Sequence, residues 1–302
     1  MLPEAERYLD AARPGQNRWW RYLLGIILIA CSPIVLMLAL ALGAYLLQGT
    51  GVGATPDGQW IVRVLTAQVI DKSILSFFVL NLSIIGMLGG LWFAIKWLHR
   101  RSFLSLITPT TRIDWRRMSL AAALTLAVLA ALSLVEHMIY PGRYRMVFDA
   151  ARFFPFMIAV LLLTPLQAAT EELIFRGYLT QAIGHLTRNS VVVLGACTLL
   201  FAALHSSNPE VARYGWIMMA GYVLMGLMLA TIAWRDGRLE SAIGVHAANN
   251  VFTALISNNE GSVLQTESIF LSVLDPVFSL IAMIVMFVIL HVVLFPRRTA
   301  AS

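Results

Sequence analysis

Eight runs of apolar residues set the terms for this chain: 22–47, 73–95, 118–139, 153–180, 189–206, 214–234, 240–257 and 268–295. A helix needs about 20 residues to cross the hydrocarbon core of a bilayer, and most of these runs reach that length. Backbone groups in lipid have no water to bond, so such runs are expected as helices. The reading is an all-α, polytopic membrane protein of about eight transmembrane helices. Only 13% of the 302 residues are charged, about half the roughly 25% of a soluble domain. The spans use up the length and leave no room for a separate soluble domain. The first run is too long for a signal-peptide core, and the mixed-charge tail 1–21 precedes it, so it reads as a span. Cys31 and Cys197 fall inside predicted spans without metal-ligand spacing and read as small buried hydrophobes.

The net charge is +6, and its distribution speaks of orientation. With the N-terminus in the cytoplasm, Arg7, Arg13, Arg18, Arg21, Lys96, Arg100, Arg101, Arg112, Arg116, Arg117, Arg188, Arg235, Arg238, Arg297 and Arg298 fall on the inner side. Arg63, Lys72, Arg143, Arg145, Arg152 and Arg213 fall outside. This bias, 15 against 6, fits the positive-inside rule with both termini cytoplasmic. The stretch 99–117 then forms a basic cytoplasmic loop suited to anionic lipid. No nucleic-acid partner is expected. The stretch 48–60 reads as a turn-rich external connection, and Pro155 and Pro165 predict a fourth helix that kinks or begins late.

Against this background three polar groupings stand out. Glu171 and Glu172 follow eighteen uncharged residues, Phe153 to Thr170. A carboxylate at the centre of a membrane helix costs about 2.5–3.5 kcal/mol on insertion scales, so two of them need compensation or use. Glu172 and Arg176 are spaced i, i+4, acid first, as a favourable pair. Glu171 is turned by about 100° from its neighbour and is left free to face a cavity. Phe201 and His205 share a helix face, as do His246 and Asn250, with Asn249 able to substitute for the latter. Glu171 and His205 each lie seventeen residues from residue 188, the midpoint of a helical hairpin, and so at matching depth. His246 fits less easily. It comes early in an outward-running span, whereas His205 comes late in another.

One acid, two imidazoles and an amide in a bilayer point to an activated water. Desolvation raises a carboxylate's pKa and suits it to general-base work. His205 could hold the water, while His246 and Asn250 donate to an oxyanion. Alternatively Glu171, His205 and His246 could hold a zinc ion with an open water position. Two other readings stay open: a proton-coupled transporter, since Glu and His also form relays, and a non-catalytic membrane scaffold or immunity protein.

Glu171-Glu172-x-x-x-Arg176, Phe201-x-x-x-His205 and His246-x-x-x-Asn250 resemble, in order and spacing, the three motifs of the CPBP family. These are the CAAX-protease and bacteriocin-processing intramembrane proteases, also called Abi. The resemblance covers about residues 150–257. It implies an intramembrane endopeptidase, a CAAX-protease-like hydrolase with its active-site cavity inside the bilayer. Its substrate would be a peptide or protein at the membrane, prenylated CAAX proteins among the options. Glu171 would be the catalytic acid/base with His205 beside it, His246 and Asn250 the oxyanion donors, and Glu172, Arg176 and Phe201 supporting groups. A metalloprotease variant with zinc stays open under the resemblance. The chain then divides into a cytoplasmic tail, 1–21; accessory helices, 22–150; a catalytic core, 151–257; and a last helix with a cytoplasmic tail, 258–302. The expected location is the bacterial cytoplasmic membrane.

Overall fold

The computed structural model describes residues 3–48 and 74–296. The external connection 48–60 therefore lies, save for its first residue, outside the described residues, as do Arg63, Lys72, Arg297 and Arg298. A short amphipathic helix, α1 (Pro3–Asp10), precedes the apolar series α2 (Trp19–Gln48), α3 (Ile74–Phe93) and α4 (Trp115–Ile139). Next come α5 (Ala150–Glu172), a π-helical segment (Leu173–Leu179) and α6 (Thr180–Leu186). The second half continues with α7 (Ser190–Leu204), α8 (Pro209–Tyr214), α9 (Trp216–Asp236), α10 (Glu240–Leu255) and α11 (Pro276–Leu294).

Six segments among the described residues are long and apolar enough to cross a membrane: Trp19–Leu40, Phe77–His99, Trp115–Ile139, Ala150–Leu186, Trp216–Asp236 and Pro276–Leu294. The chain is thus an integral membrane protein by helix length and composition, and the expected count of eight is approximate. The other two expected spans are helical but shorter, α7 with 15 residues and α10 with 16. Large apolar side chains such as Ile34, Leu162 and Val292 stand exposed along the outer helices, as lipid-facing positions should. Cys31 belongs with them, exposed on α2, whereas Cys197 is buried as expected.

Two departures from the sequence reading concern helix limits. The fourth helix begins at Ala150, earlier than expected, because the Asp149 side chain accepts the Ala151 amide as an N-cap. It runs through Pro155 and Pro165 without a break in its helical assignment. The last helix begins only at Pro276, capped by Asp275. The residues before it contribute to a small sheet absent from the all-α expectation. Tyr144–Met146 (β1) pairs antiparallel with Phe270–Ser272 (β3), which pairs in parallel with Ser257–Asn259 (β2).

The long helices alternate between two ends. At one end α1 packs beside α6, and Arg188 pairs with Asp10 at 3.0 Å. Asp114 caps α4 there, and its carboxyl lies below the usual range because it accepts the Arg117 backbone amide. The Arg235 guanidinium sits 4.7 Å from the Phe295 ring, which brings the end of α11 to this same side. At the other end lie the sheet and the Arg143–Asp275 pair, 2.7 Å.

Close helix contact depends on missing side chains at a few points. A Cβ on Gly90 would meet the Leu28 carbonyl of α2, and one on Gly244 would run into the Met118 carbonyl of α4. Gly244→Ala should therefore force α10 off α4 and lower stability by roughly 1–3 kcal/mol. A thermal melt of the detergent-purified variant checks this, with an unchanged midpoint as the contrary result.

Candidate active site

Glu171 and Glu172 occupy the last turn of α5, immediately before the π-helical segment that carries Arg176. Such π insertions add a residue per turn and recur at functional sites. The two neighbouring acids have different surroundings. The side chain of Glu172 is 0% exposed, and its Oε1 accepts from Arg176 Nη1 at 2.7 Å. Arg176 also donates through Nη2 to the Gly226 carbonyl of α9 at 3.0 Å and lies 4.4 Å above the Phe201 ring. Guanidinium, carboxylate and aromatic face thus lock α5, α7 and α9 together.

Glu171 is 13% exposed and faces a cavity of about 1080 Å³ inside the helical bundle. Its Oε1 accepts from Gln167 Nε2 at 2.6 Å, and Gln167 Oε1 in turn accepts from Asn250 Nδ2 at 3.1 Å. Asn249 Nδ2 donates to Asn250 Oδ1 at 3.1 Å. The orientation of Glu171 is therefore set by an amide relay that reaches back to α10.

His246 bridges the two acids. Its Nδ1 lies 2.8 Å from Glu172 Oε1, and its Nε2 lies 3.6 Å from Glu171 Oε2. A carboxylate only accepts, so the contact with Glu172 places a proton on Nδ1 and leaves Nε2 toward Glu171. The second gap is too long for a direct hydrogen bond, and both residues line the cavity.

His205 follows the last residue of α7 and lines the same cavity. Its Nδ1 lies 2.8 Å from the Phe201 carbonyl, and its ring is held between Phe201 at 4.5 Å and Tyr222 at 4.6 Å. The Phe201 ring also meets His246 edge-on at 6.1 Å. All seven sequence-predicted residues thus belong to one neighbourhood, with Glu171, Phe201, His205, His246 and Asn250 on the cavity wall and the Glu172–Arg176 pair behind it.

The depth mismatch resolves through a recessed helix start. Glu171 lies fifteen residues before Leu186 and His205 fifteen after Ser190, about 22 Å along each helix at 1.5 Å per residue. Leu239, just ahead of α10, packs against Gly177, and its amide bonds the Ile107 carbonyl at 2.8 Å. Gly177 is nine residues above Leu186, or about 13 Å. Helix α10 therefore starts well inside the bundle, and His246 reaches the level of Phe201 after less than two turns.

Gln167 and Tyr222 are two of the cavity groups that sequence alone did not single out. Gln167 stands four residues before Glu171 on the same face, a spacing that could have identified it. Tyr222 carries no comparable signal, since its part is played across space.

Zinc fits this arrangement poorly. Among the described residues no group of three His, Cys, Asp or Glu side chains is gathered as metal ligands, Glu171, His205 and His246 included.

The chain is 28% identical over 250 residues to the uncharacterized protein YyaK of Bacillus subtilis (strain 168), covering 82% of this chain and 81% of that protein. No solved structure matches it. Residues 151–252, the segment that carries Glu171, Arg176, His205, His246 and Asn250, match the Rce1-like family of type II CAAX prenyl endopeptidases, consistent with a CPBP family intramembrane protease.

Proposed function

We propose that this protein is an intramembrane endopeptidase in which Glu171 activates a water to hydrolyse a peptide bond of a membrane-associated polypeptide. The observation that carries the reading is the Glu171 carboxylate itself: one oxygen fixed by Gln167, the other facing His246 Nε2 across 3.6 Å on the cavity wall. A water in the cavity beside these two atoms would donate one hydrogen to Glu171 Oε2 and the other to His246 Nε2, with its lone pairs turned to the substrate. Glu171 takes the first proton as the water oxygen attacks the scissile carbonyl carbon. The Asn250 amide and, when protonated, His246 stabilise the oxyanion, and His205 polarises the water or carbonyl from its place beside Phe201. The proton on Glu171 then passes to the leaving amine.

Glu172 and Arg176 support this chemistry. By bonding Nδ1 of His246, Glu172 fixes which ring nitrogen meets the water. The Rce1-like match supports CAAX-type intramembrane protease activity in general. Cleavage of a peptide mixture by purified protein, compared with Glu171→Gln, tests the reading.

We also place the termini in the cytoplasm of a bacterial cell. Among the described residues the end near α1 carries thirteen Lys or Arg and six Asp or Glu, against four and six at the sheet end. This asymmetry agrees with the positive-inside rule. The cavity's polar lining extends to the sheet end, at Asn258, Asn259 and Ser262, so substrate reaches Glu171 from the extracytoplasmic side. A membrane-impermeant thiol reagent on intact cells checks this, with Cys31 and Cys197 replaced by Ala. Glu260→Cys should be labelled before lysis and Arg13→Cys only after it; the reverse pattern would reject the orientation.

A further inference from the structure

Glu210 on α8 is a second buried acid of the cavity, and none of the three motifs includes it. The residue is 9% exposed and lines the cavity together with Asn208, Tyr222, Asn259 and Ser262. Its Oε1 accepts the Val263 backbone amide at 3.0 Å. Its Oε2 is buried and has no hydrogen-bond partner among the described residues. Among the described residues this carboxylate has none of the counter-charge that buried acids normally carry.

The cations described at this end are engaged elsewhere. Arg143 binds Glu136 and Asp275, Arg145 lies 3.8 Å from Glu260, and Arg152 lies 3.7 Å from Asp149. Arg213, on the same short helix, sits over the Tyr214 ring at 5.2 Å. Among the described residues none of them forms an ion pair with Glu210. The acid is also linked to the proposed catalytic wall. Asn208 Nδ2 donates to the Tyr222 hydroxyl at 2.7 Å, and the Tyr222 ring stacks on His205.

We infer that Glu210 forms a cation subsite for the substrate, accepting a lysine or arginine side chain of the polypeptide on the far side of Tyr222 from His205. The charged head would bond the Glu210 carboxylate once a turn of the side chain brings Oε2 to the cavity, whose abundant apolar surface would cover the aliphatic stem, as apolar surface does for snorkelling side chains elsewhere. Substrates are then polypeptides with a basic residue held at a fixed distance from the cleaved bond. Among the described residues the sheet end carries six acids to four bases, a balance that attracts the same chains on approach.

This inference rests on the reading that the cavity receives polypeptide, but its test needs no hydrolysis. Short fluorescent peptides carry one lysine moved position by position, each paired with a counterpart holding norleucine there. Binding is measured by anisotropy to the Glu171→Gln protein in nanodiscs, with and without Glu210→Gln. The glutamine keeps an oxygen for the Val263 amide, so the fold is retained, and the peptide-side change leaves the protein untouched. At one or a few adjacent positions lysine should bind at least about tenfold more tightly than norleucine, and Glu210→Gln should remove that preference while leaving the norleucine peptide unchanged. Equal binding of the two peptides at every position, equal weakening of both by Glu210→Gln, or no binding of any lysine peptide would overturn the subsite. Loss of cleavage in wild type with the lysine preference intact would instead count against the catalytic reading alone.

Discussion

Glu171→Gln should lower kcat for peptide hydrolysis by about 10²–10⁴-fold, the range that a positioned general base supplies. The substitution is nearly isosteric, and the introduced amide could still bond Gln167 after a flip, so cavity shape and substrate affinity should change little. The loss should therefore appear in kcat with KM close to wild type, as expected when a group acts mainly in the transition state. Single-turnover cleavage in detergent or nanodiscs measures it. A variant with wild-type kcat would remove Glu171 from the chemistry, whatever its position on the wall.

Arg176→Ala should have the largest effect on stability, about 3–5 kcal/mol, because it strands a buried carboxylate. Glu172 is 0% exposed and would keep only the bond from His246. The same change removes the bond to the Gly226 carbonyl and the cation above Phe201. A paired change, Glu172→Gln with Arg176→Met, deletes both charges at similar volume and should be far milder, since no ion is left unpaired. Thermal melting of the three proteins decides the matter. Equal destabilisation by the single and double changes would mean that packing matters there and the ion pair does not.

Much of this arrangement was legible in the sequence because lipid leaves little freedom. Apolar runs must be helices, so i, i+4 spacing alone paired Glu172 with Arg176 and turned Glu171 away from that pair. Hairpin counting placed Glu171 and His205 at one depth, and both line the cavity. The same counting failed for His246, because it assumed that every helix starts at a membrane face. The start of α10 is recessed at Leu239, beside Gly177 and bonded to Ile107, a tertiary fact with no local signal. The sheet was hidden for a related reason. Its strands have three residues each and pair only because the loops around Tyr144, Ser257 and Phe270 are brought together by the helices. Glu210 was likewise silent, since a glutamate in a polar connection reads as solvated until its burial is seen.

In the proposed reaction a water activated by Glu171 breaks a peptide bond inside the bundle. The most direct measurement incubates the nanodisc-embedded protein with a mixed peptide library in ¹⁸O-labelled water and examines the products by mass spectrometry. Wild type should release new C-termini that carry the label, and Glu171→Gln none above background. Wild type that releases no labelled termini, or Glu171→Gln that releases them at the same rate, would contradict it.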